Sequence, residues 1–206
     1  MTELKEKKKS TALSVRNMVV TALMSAMATV LELLNFSVPF MPGFIKFDFS
    51  ELPALIASFA LGPSYGVVVC LVKNIVNLLQ TTTGGIGELS NFILGASFVL
   101  IAGLVYKHKK TRMGAFIGSV AGAVCMAVIG VFSNYFVVYP IYTKMMPLEV
   151  LIGLYQDILP SVDNLLEALL VFNMPFTFLK GMANVLITFV IYKHIAPIIK
   201  GKAKNV

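Results

Sequence analysis

Charge is scarce in this chain. Asp, Glu, Lys and Arg make up 13% of its 206 residues, where a soluble domain carries about 25%. Hydrophobic residues reach 57% and mean hydropathy is +0.84, which implies a multi-pass protein of the cell membrane. Cysteine is nearly absent as well. Cys70 and Cys125 sit singly inside apolar runs, which excludes a disulfide framework or a cysteine metal site and leaves packing. No GxxxxGK(S/T) loop occurs, so ATP hydrolysis by that route is excluded. Neither HExxH nor GxSxG occurs, and no span holds a His-rich or paired-carboxylate constellation. The chain reads as a non-enzyme that needs neither a metal nor a cofactor. No cleavable signal-peptide pattern is present, because the basic start leads into a run long enough to span.

Apolar runs are what the chain has in abundance. Taken at about 20 residues per bilayer crossing, they predict six spans, at 15–34, 52–61, 65–79, 89–106, 113–139 and 172–192. The second span is short and is joined to the third by the turn Gly62-Pro63. The expected fold is an all-α six-transmembrane-helix bundle forming a single membrane domain, 1–206. Around the spans lie a basic cytoplasmic tail (1–14), an outer lid loop (35–48), an outer segment (140–171) and a second basic tail (193–206). The piece LLEALLVF in that outer segment is too short to span and reads as amphipathic or re-entrant.

The cations orient the bundle. Thirteen of the 17 Lys and Arg fall in three clusters: Lys5, Lys7, Lys8, Lys9 and Arg16; Lys107, Lys109, Lys110 and Arg112; and Lys193, Lys200, Lys202 and Lys204. Six spans place all three on one side with both termini cytoplasmic, as the positive-inside bias requires. Of the ten acids only Glu3 and Glu6 share that side. The net charge of +7 therefore reads as a topology signal facing lipid headgroups, not as a nucleic-acid surface. His108 and His194 belong to these clusters and are not ligands.

Polar residues at membrane depth are costly and often mark a substrate path. In the sixth span Asn173, Thr177, Lys180 and Asn184 recur at helical spacing, on one face. Lys73, Asn74 and Asn77, with Gln80 beyond, form a stripe in the third. Asn91 and Asn134 sit in the outer parts of the fourth and fifth. The bland alternative is interhelical hydrogen bonding, worth about 0.6 kcal/mol per contact. Lys180 either pairs with a carboxylate or donates to a neutral ligand's carbonyl, and no carboxylate is clearly placed mid-membrane beside it. Glu32 reads as a lone acid near a helix end, solvated or paired. In FDFSELPALIASFALGP (47–63), Asp48 and Glu51 are expected at the outer end of the second span, where its first turn meets water and its free N–H groups favour anions.

Glycine and other small residues complete the inventory. Gly84, Gly85 and Gly87 in TTTGGIGELSNF (81–92) permit positive φ or close backbone approach. Gly114, Gly118 and Gly122 make a small-residue ridge suited to a helix contact, and Ala22 and Ala26 make an AxxxA step.

Five stretches carry a family resemblance: DFSELPALIASFALGP (48–63), VKNIVNLL (72–79), GGIGELSNFILGASF (84–98), SNYFVVYPIY (133–142) and PFTFLKG (175–181). In this order, with the AxxxA step, the chain resembles the substrate-binding (S) components of energy-coupling-factor (ECF) vitamin transporters, and most closely the riboflavin-specific ones. The resemblance implies a six-helix bundle that binds riboflavin near the outer face beneath a lid after the first helix. It implies substrate contacts from Phe47, Asp48, Asn91, Asn134, Thr177 and Lys180. Some members carry Asn where Thr177 stands; a hydroxyl still bonds, with one polar atom fewer. It further implies a membrane-embedded T component and two cytoplasmic ATPase subunits as partners, docking on Ala22 and Ala26. Two other readings stay open at this stage: an S component for another vitamin or flavin relative, and a self-contained secondary transporter or channel.

Overall fold

The computed structural model describes residues 2–199, and side chains over residues 15–191. The lysines of the first tail, and those at 193 and beyond, lie outside the described side chains. Among the described residues the regular structure is helical apart from one short hairpin. Helix α1 (Thr2–Leu33) leads into strands β1 (Phe36–Ser37) and β2 (Lys46–Phe47), then α2 (Glu51–Ala60), α3 (Pro63–Asn77) and α4 (Ile86–His108). Helix α5 (Arg112–Tyr142), α6 (Leu148–Gln156) and α7 (Leu165–Ile191, continuing to Ile199) complete it.

Among the described residues, four helices are long and apolar enough to cross a membrane: Val15–Leu33 of α1, then α4, α5 and α7. The other two expected spans are short helices of 10 and 15 residues, α2 and α3. Gly62, at φ 126°, makes the turn between them, and Pro63 opens α3 where its missing N–H costs nothing. The turn lies level with the start of α1's apolar stretch, where Asn17 Nδ2 donates to the Tyr65 hydroxyl at 3.3 Å. It also lies level with the end of α4, where the Phe59 and Tyr106 rings stand 4.9 Å apart. Ten residues rise about 15 Å, half of a roughly 30 Å hydrocarbon core. The first residue of α2, Glu51, therefore sits halfway up the bundle. This corrects the expectation that Asp48 and Glu51 meet water at the outer end: they are 4% and 0% exposed.

The core lies among α1, α2, α3, α4, α5 and α7, around Leu55, Ile56, Val69, Phe98, Val99 and Met126, with Met24 and Ala28 from α1. Gly118 and Gly122 let α5 lie directly against α4. A Cβ at either position would stand 2.7 Å from the Ala102 carbonyl oxygen or 2.6 Å from that of Phe98. Gly118 and Gly122 of the ridge thus make a helix contact within the bundle, while Gly114 packs on the Lys109 backbone of the preceding connection. Ser58 Oγ, donating to the Val99 carbonyl at 2.7 Å, ties α2 to α4.

A second apolar cluster, with Tyr139, Leu151, Tyr155, Leu169 and Phe172, gathers α5, α6 and α7 beneath Phe44 and Ile45 of the hairpin. Residues 165–171, including most of LLEALLVF, belong to the last helix. Asn164 caps it by accepting from the Glu167 N–H, and a π turn at Leu169–Asn173 carries it into Met174–Ile199. A second π turn, Asn134–Val138, interrupts α5. Such turns change which side chains face inward and frequently occur at functional sites. Here Asn134 opens one and Asn173 closes the other.

Candidate functional site

The π turns, the hairpin and the mid-bundle start of α2 enclose one cavity of about 650 Å³, within the ~300–1,000 Å³ of small-molecule sites. Its walls carry Glu32 from α1, Asp48 from the hairpin's exit, Asn77 beside the α3 end, and Glu88 and Asn91 from α4. Asn134 and Tyr139 come from α5, and Asn173, Thr177 and Lys180 from α7. The stripe on α7 follows from its spacing, since Asn173, Thr177 and Lys180 share a face. Asn184 continues that face below the cavity, where its Nδ2 donates to the Lys180 carbonyl at 2.9 Å.

A buried charge network forms the cavity's inner end. Lys180 Nζ lies 2.9 Å from Asp48 Oδ2 and 3.6 Å from Glu51 Oε2. Lys73, fully buried on α3, pairs with Glu51 Oε1 at 3.1 Å, donates to Ser50 Oγ, and stands 3.8 Å from Glu32 Oε2. Ser50 in turn donates its N–H and hydroxyl to Asp48 Oδ1. Charges at this depth persist when paired and hydrogen-bonded. Three carboxylates face two ammonium groups, so the network keeps one formal negative charge in excess. On the cavity side, Asn91 Nδ2 donates to Glu32 Oε1 at 2.6 Å and Asn91 Oδ1 accepts from Lys180 at 3.4 Å.

The outer end is held by neutral donors. The Tyr155 hydroxyl donates to Asn173 Oδ1 at 2.8 Å and meets the Tyr139 hydroxyl. Burial pushes the Tyr155 hydroxyl well above its ordinary range, which keeps it protonated and donating. Ser90 Oγ donates to Asn134 Oδ1 at 3.0 Å, leaving the Asn134 amide N–H groups for the cavity. Thr81 and Thr83 donate to Glu88 Oε2 at 2.9 and 3.3 Å. The loop that presents them turns through Gly84 and Gly85, at φ 62° and 88°.

Five of the six expected contact residues, Asp48, Asn91, Asn134, Thr177 and Lys180, line this one cavity. Phe47 does not. Its ring packs on Phe36, Phe49 and Phe176, and of these four rings Phe176 is the one that reaches the wall, beside Phe44, Tyr139 and Tyr142. Ala22 and Ala26 lie elsewhere, exposed in an apolar groove between α1 and α3 with Val68, Val72 and Val76 on its far side. Sequence reasoning missed Glu32, Glu51 and Lys73 as one network, and placed no carboxylate beside Lys180 where the structure places two. The signal available was a Lys in the third span and an acid in the first, each too costly to leave unpaired.

An apolar helical bundle built around a polar, charge-lined cavity of small-molecule size defines the class: a membrane-embedded protein with an internal binding site. The chain belongs to the family of ECF transporter substrate-specific components, whose family model matches residues 16–192. It is 30% identical to the riboflavin transporter RibU of Staphylococcus aureus (strain TCH60), over 90% of this chain and 93% of that protein. It is 29% identical to the riboflavin transporter FmnP of Bacillus subtilis (strain 168), over 90% and 94%. A solved structure described as the S component of a bacterial ECF transporter superposes with a TM-score of 0.72 at 29% identity. That match covers 91% of this chain and 99% of the other. The family is one of transporter components and not of enzymes, and the four apolar helices agree with a membrane protein.

Proposed function

We propose that this chain is the riboflavin-binding subunit of an ATP-driven ECF importer, taking up riboflavin at the outer face and delivering it inward. The observation that carries the reading is the convergence of Asp48, Asn91, Asn134, Thr177 and Lys180 on one cavity. Riboflavin presents carbonyl and imide edges on a flat ring and hydroxyls along its ribityl chain. Asn and Lys N–H groups suit the carbonyls, and Asp48 suits an N–H or hydroxyl. The names of the related proteins support the same ligand.

The remaining architecture follows from this role. Helices α2 and α3 count as a shortened pair of spans, giving six in all and both termini on the cytoplasmic side with the basic clusters. The loop 35–48 is the lid over the cavity, 140–171 forms the outer surface beside it, and 1–14 and 193–206 are the basic tails. The chain carries no ATP-binding loop, so a membrane-embedded T component and two ATPase subunits supply the energy. The groove at Ala22 and Ala26 is the surface offered to the T component, because small side chains let a partner helix approach closely. No cofactor is required; riboflavin is cargo.

The buried carboxylates beside Lys180 are also what an ion-coupled carrier would use, so a self-contained transporter is the second reading. Two measurements decide. Titration of the detergent-solubilised chain should quench riboflavin fluorescence, and a fresh preparation should be yellow with copurified flavin; a colourless protein that leaves the fluorescence unchanged sinks the proposal. Vesicles holding the chain alone should show no uptake, and uptake without partners would favour the carrier.

A further inference from the structure

Asn91 stands between two partners that each act in one direction. A carboxylate only accepts and an ammonium only donates. With Glu32 Oε1 at 2.6 Å on one side and Lys180 Nζ at 3.4 Å on the other, the amide has one orientation, Nδ2 to Glu32 and Oδ1 to Lys180. One N–H is taken by Glu32, and the second is left for the cavity that Asn91 lines. Glu32 is itself fixed: it is 3% exposed on α1, and Lys73 stands 3.8 Å from its Oε2. That oxygen has no hydrogen-bond donor, so the Oε1 bond to Asn91 is the one directed contact the carboxylate makes.

We propose that Glu32 is a positioning residue of the binding site, locking the Asn91 amide so that the cavity presents a donor, and not an acceptor, to a ligand carbonyl. This rests on the riboflavin reading, since the flavin ring carries the carbonyls such a donor would serve. Without Glu32 the weaker Lys180 contact alone orients the amide. A half-turn about the terminal side-chain torsion then sets Oδ1 against the ligand carbonyl, acceptor facing acceptor. The replacement leaves Lys73 paired with Glu51 at 3.1 Å, so the network retains its second anchor.

The test is riboflavin affinity by fluorescence titration of the full chain in detergent, run as a double-mutant cycle. Glu32→Leu and Asn91→Ala should each weaken binding about tenfold to a hundredfold, the scale of a hydrogen bond involving a charged group. The double variant should be no weaker than Asn91→Ala to within about twofold, because a residue acting through Asn91 has nothing left to position. A Glu32 that merely stabilised the bundle would give penalties that multiply, and that result overturns the proposal, as does full affinity in Glu32→Leu. If Glu32→Leu fails to fold, Glu32→Gln keeps the volume and permits either amide orientation. It should lose several-fold in affinity on the natural background and nothing beside Asn91→Ala. A natural chain that does not bind riboflavin overturns the functional reading and this proposal together; a binding chain with multiplying penalties overturns the role of Glu32 alone.

Discussion

Lys180 and Asp48 are 132 residues apart in sequence, and their side chains meet at 2.9 Å inside the bundle. The contact ties the exit of the hairpin to the last long helix. Glu51, 3.6 Å from the same ammonium, ties in the start of α2. The loop over the cavity is thus anchored at its base by charge, at a depth where charge is strongly felt.

Removing the cation should unbalance this network. Lys180→Met leaves Asp48, Glu51 and Glu32 facing Lys73 alone, and breaking a buried pair costs about 3–5 kcal/mol. Thermal unfolding in detergent should show a clear drop in midpoint, and riboflavin quenching should weaken sharply. Adding Asp48→Asn should restore stability more than affinity, since it cancels the stranded charge without replacing the donor. Unchanged riboflavin affinity in Lys180→Met would remove Lys180 from the site.

The α4–α5 seam predicts a contrast between two glycines. A Cβ on Gly122 would stand 2.6 Å from the Phe98 carbonyl oxygen, a backbone atom that cannot step aside. Gly122→Ala should therefore destabilise by about 1–3 kcal/mol. At Gly153, within helix α6, an added methyl would meet nothing within 4 Å. Gly153→Ala should be neutral or stabilising by up to about 1 kcal/mol. Equal midpoints for the two variants would contradict the close approach of α4 and α5.

Tyr155 predicts a pH dependence. Burial raises its hydroxyl above the ordinary value of 10.0, so the folded state favours the protonated form. The resulting stability is fully present below pH about 10 and is lost as pH rises through and beyond that value, because the unfolded chain releases its proton first. Tyr155→Phe leaves Asn173 Oδ1 without this donor, at a cost of about 1–3 kcal/mol. Its unfolding midpoint should be lower at neutral pH and should fall less between pH 9 and 11 (a window of about one unit either side of the ordinary value). Parallel curves for the two proteins would place the alkaline loss elsewhere.

The parts legible in the sequence were those governed by short-range periodicity. Asn173, Thr177 and Lys180 announce a shared face by spacing alone, and all three line the cavity. Gly118 and Gly122 announce a close helix contact in the same way. The pairing of Lys180 with Asp48 was not legible, because no local pattern links positions so far apart. The depth of Glu51 was misread for a different reason: the second span was rightly expected to be short, but its first turn was placed at the membrane surface, whereas the 10-residue α2 starts mid-bundle. Glu32 looked like an acid at a helix end, and its partners come from α3 and α4. The outer end of the last helix was obscured by its π turn, which breaks the regular period that marks a span.

The groove between α1 and α3, proposed above as the docking surface, shares no lining residue with the cavity. Ala22 and Ala26 are exposed and Val68, Val72 and Val76 line the opposite wall. Glu32 and Lys73, on the same two helices, belong to the charge network on the inner side. A bulky side chain in the groove meets no residue of the cavity, so Ala26→Trp should leave riboflavin affinity of the isolated chain within about twofold of the natural protein. It should nonetheless block ATP-driven uptake in cells or in vesicles holding all the partners, since a close helix contact tolerates only small residues. Loss of riboflavin binding in the isolated variant would show that the groove serves the fold, and full uptake would show that the partner docks on another face.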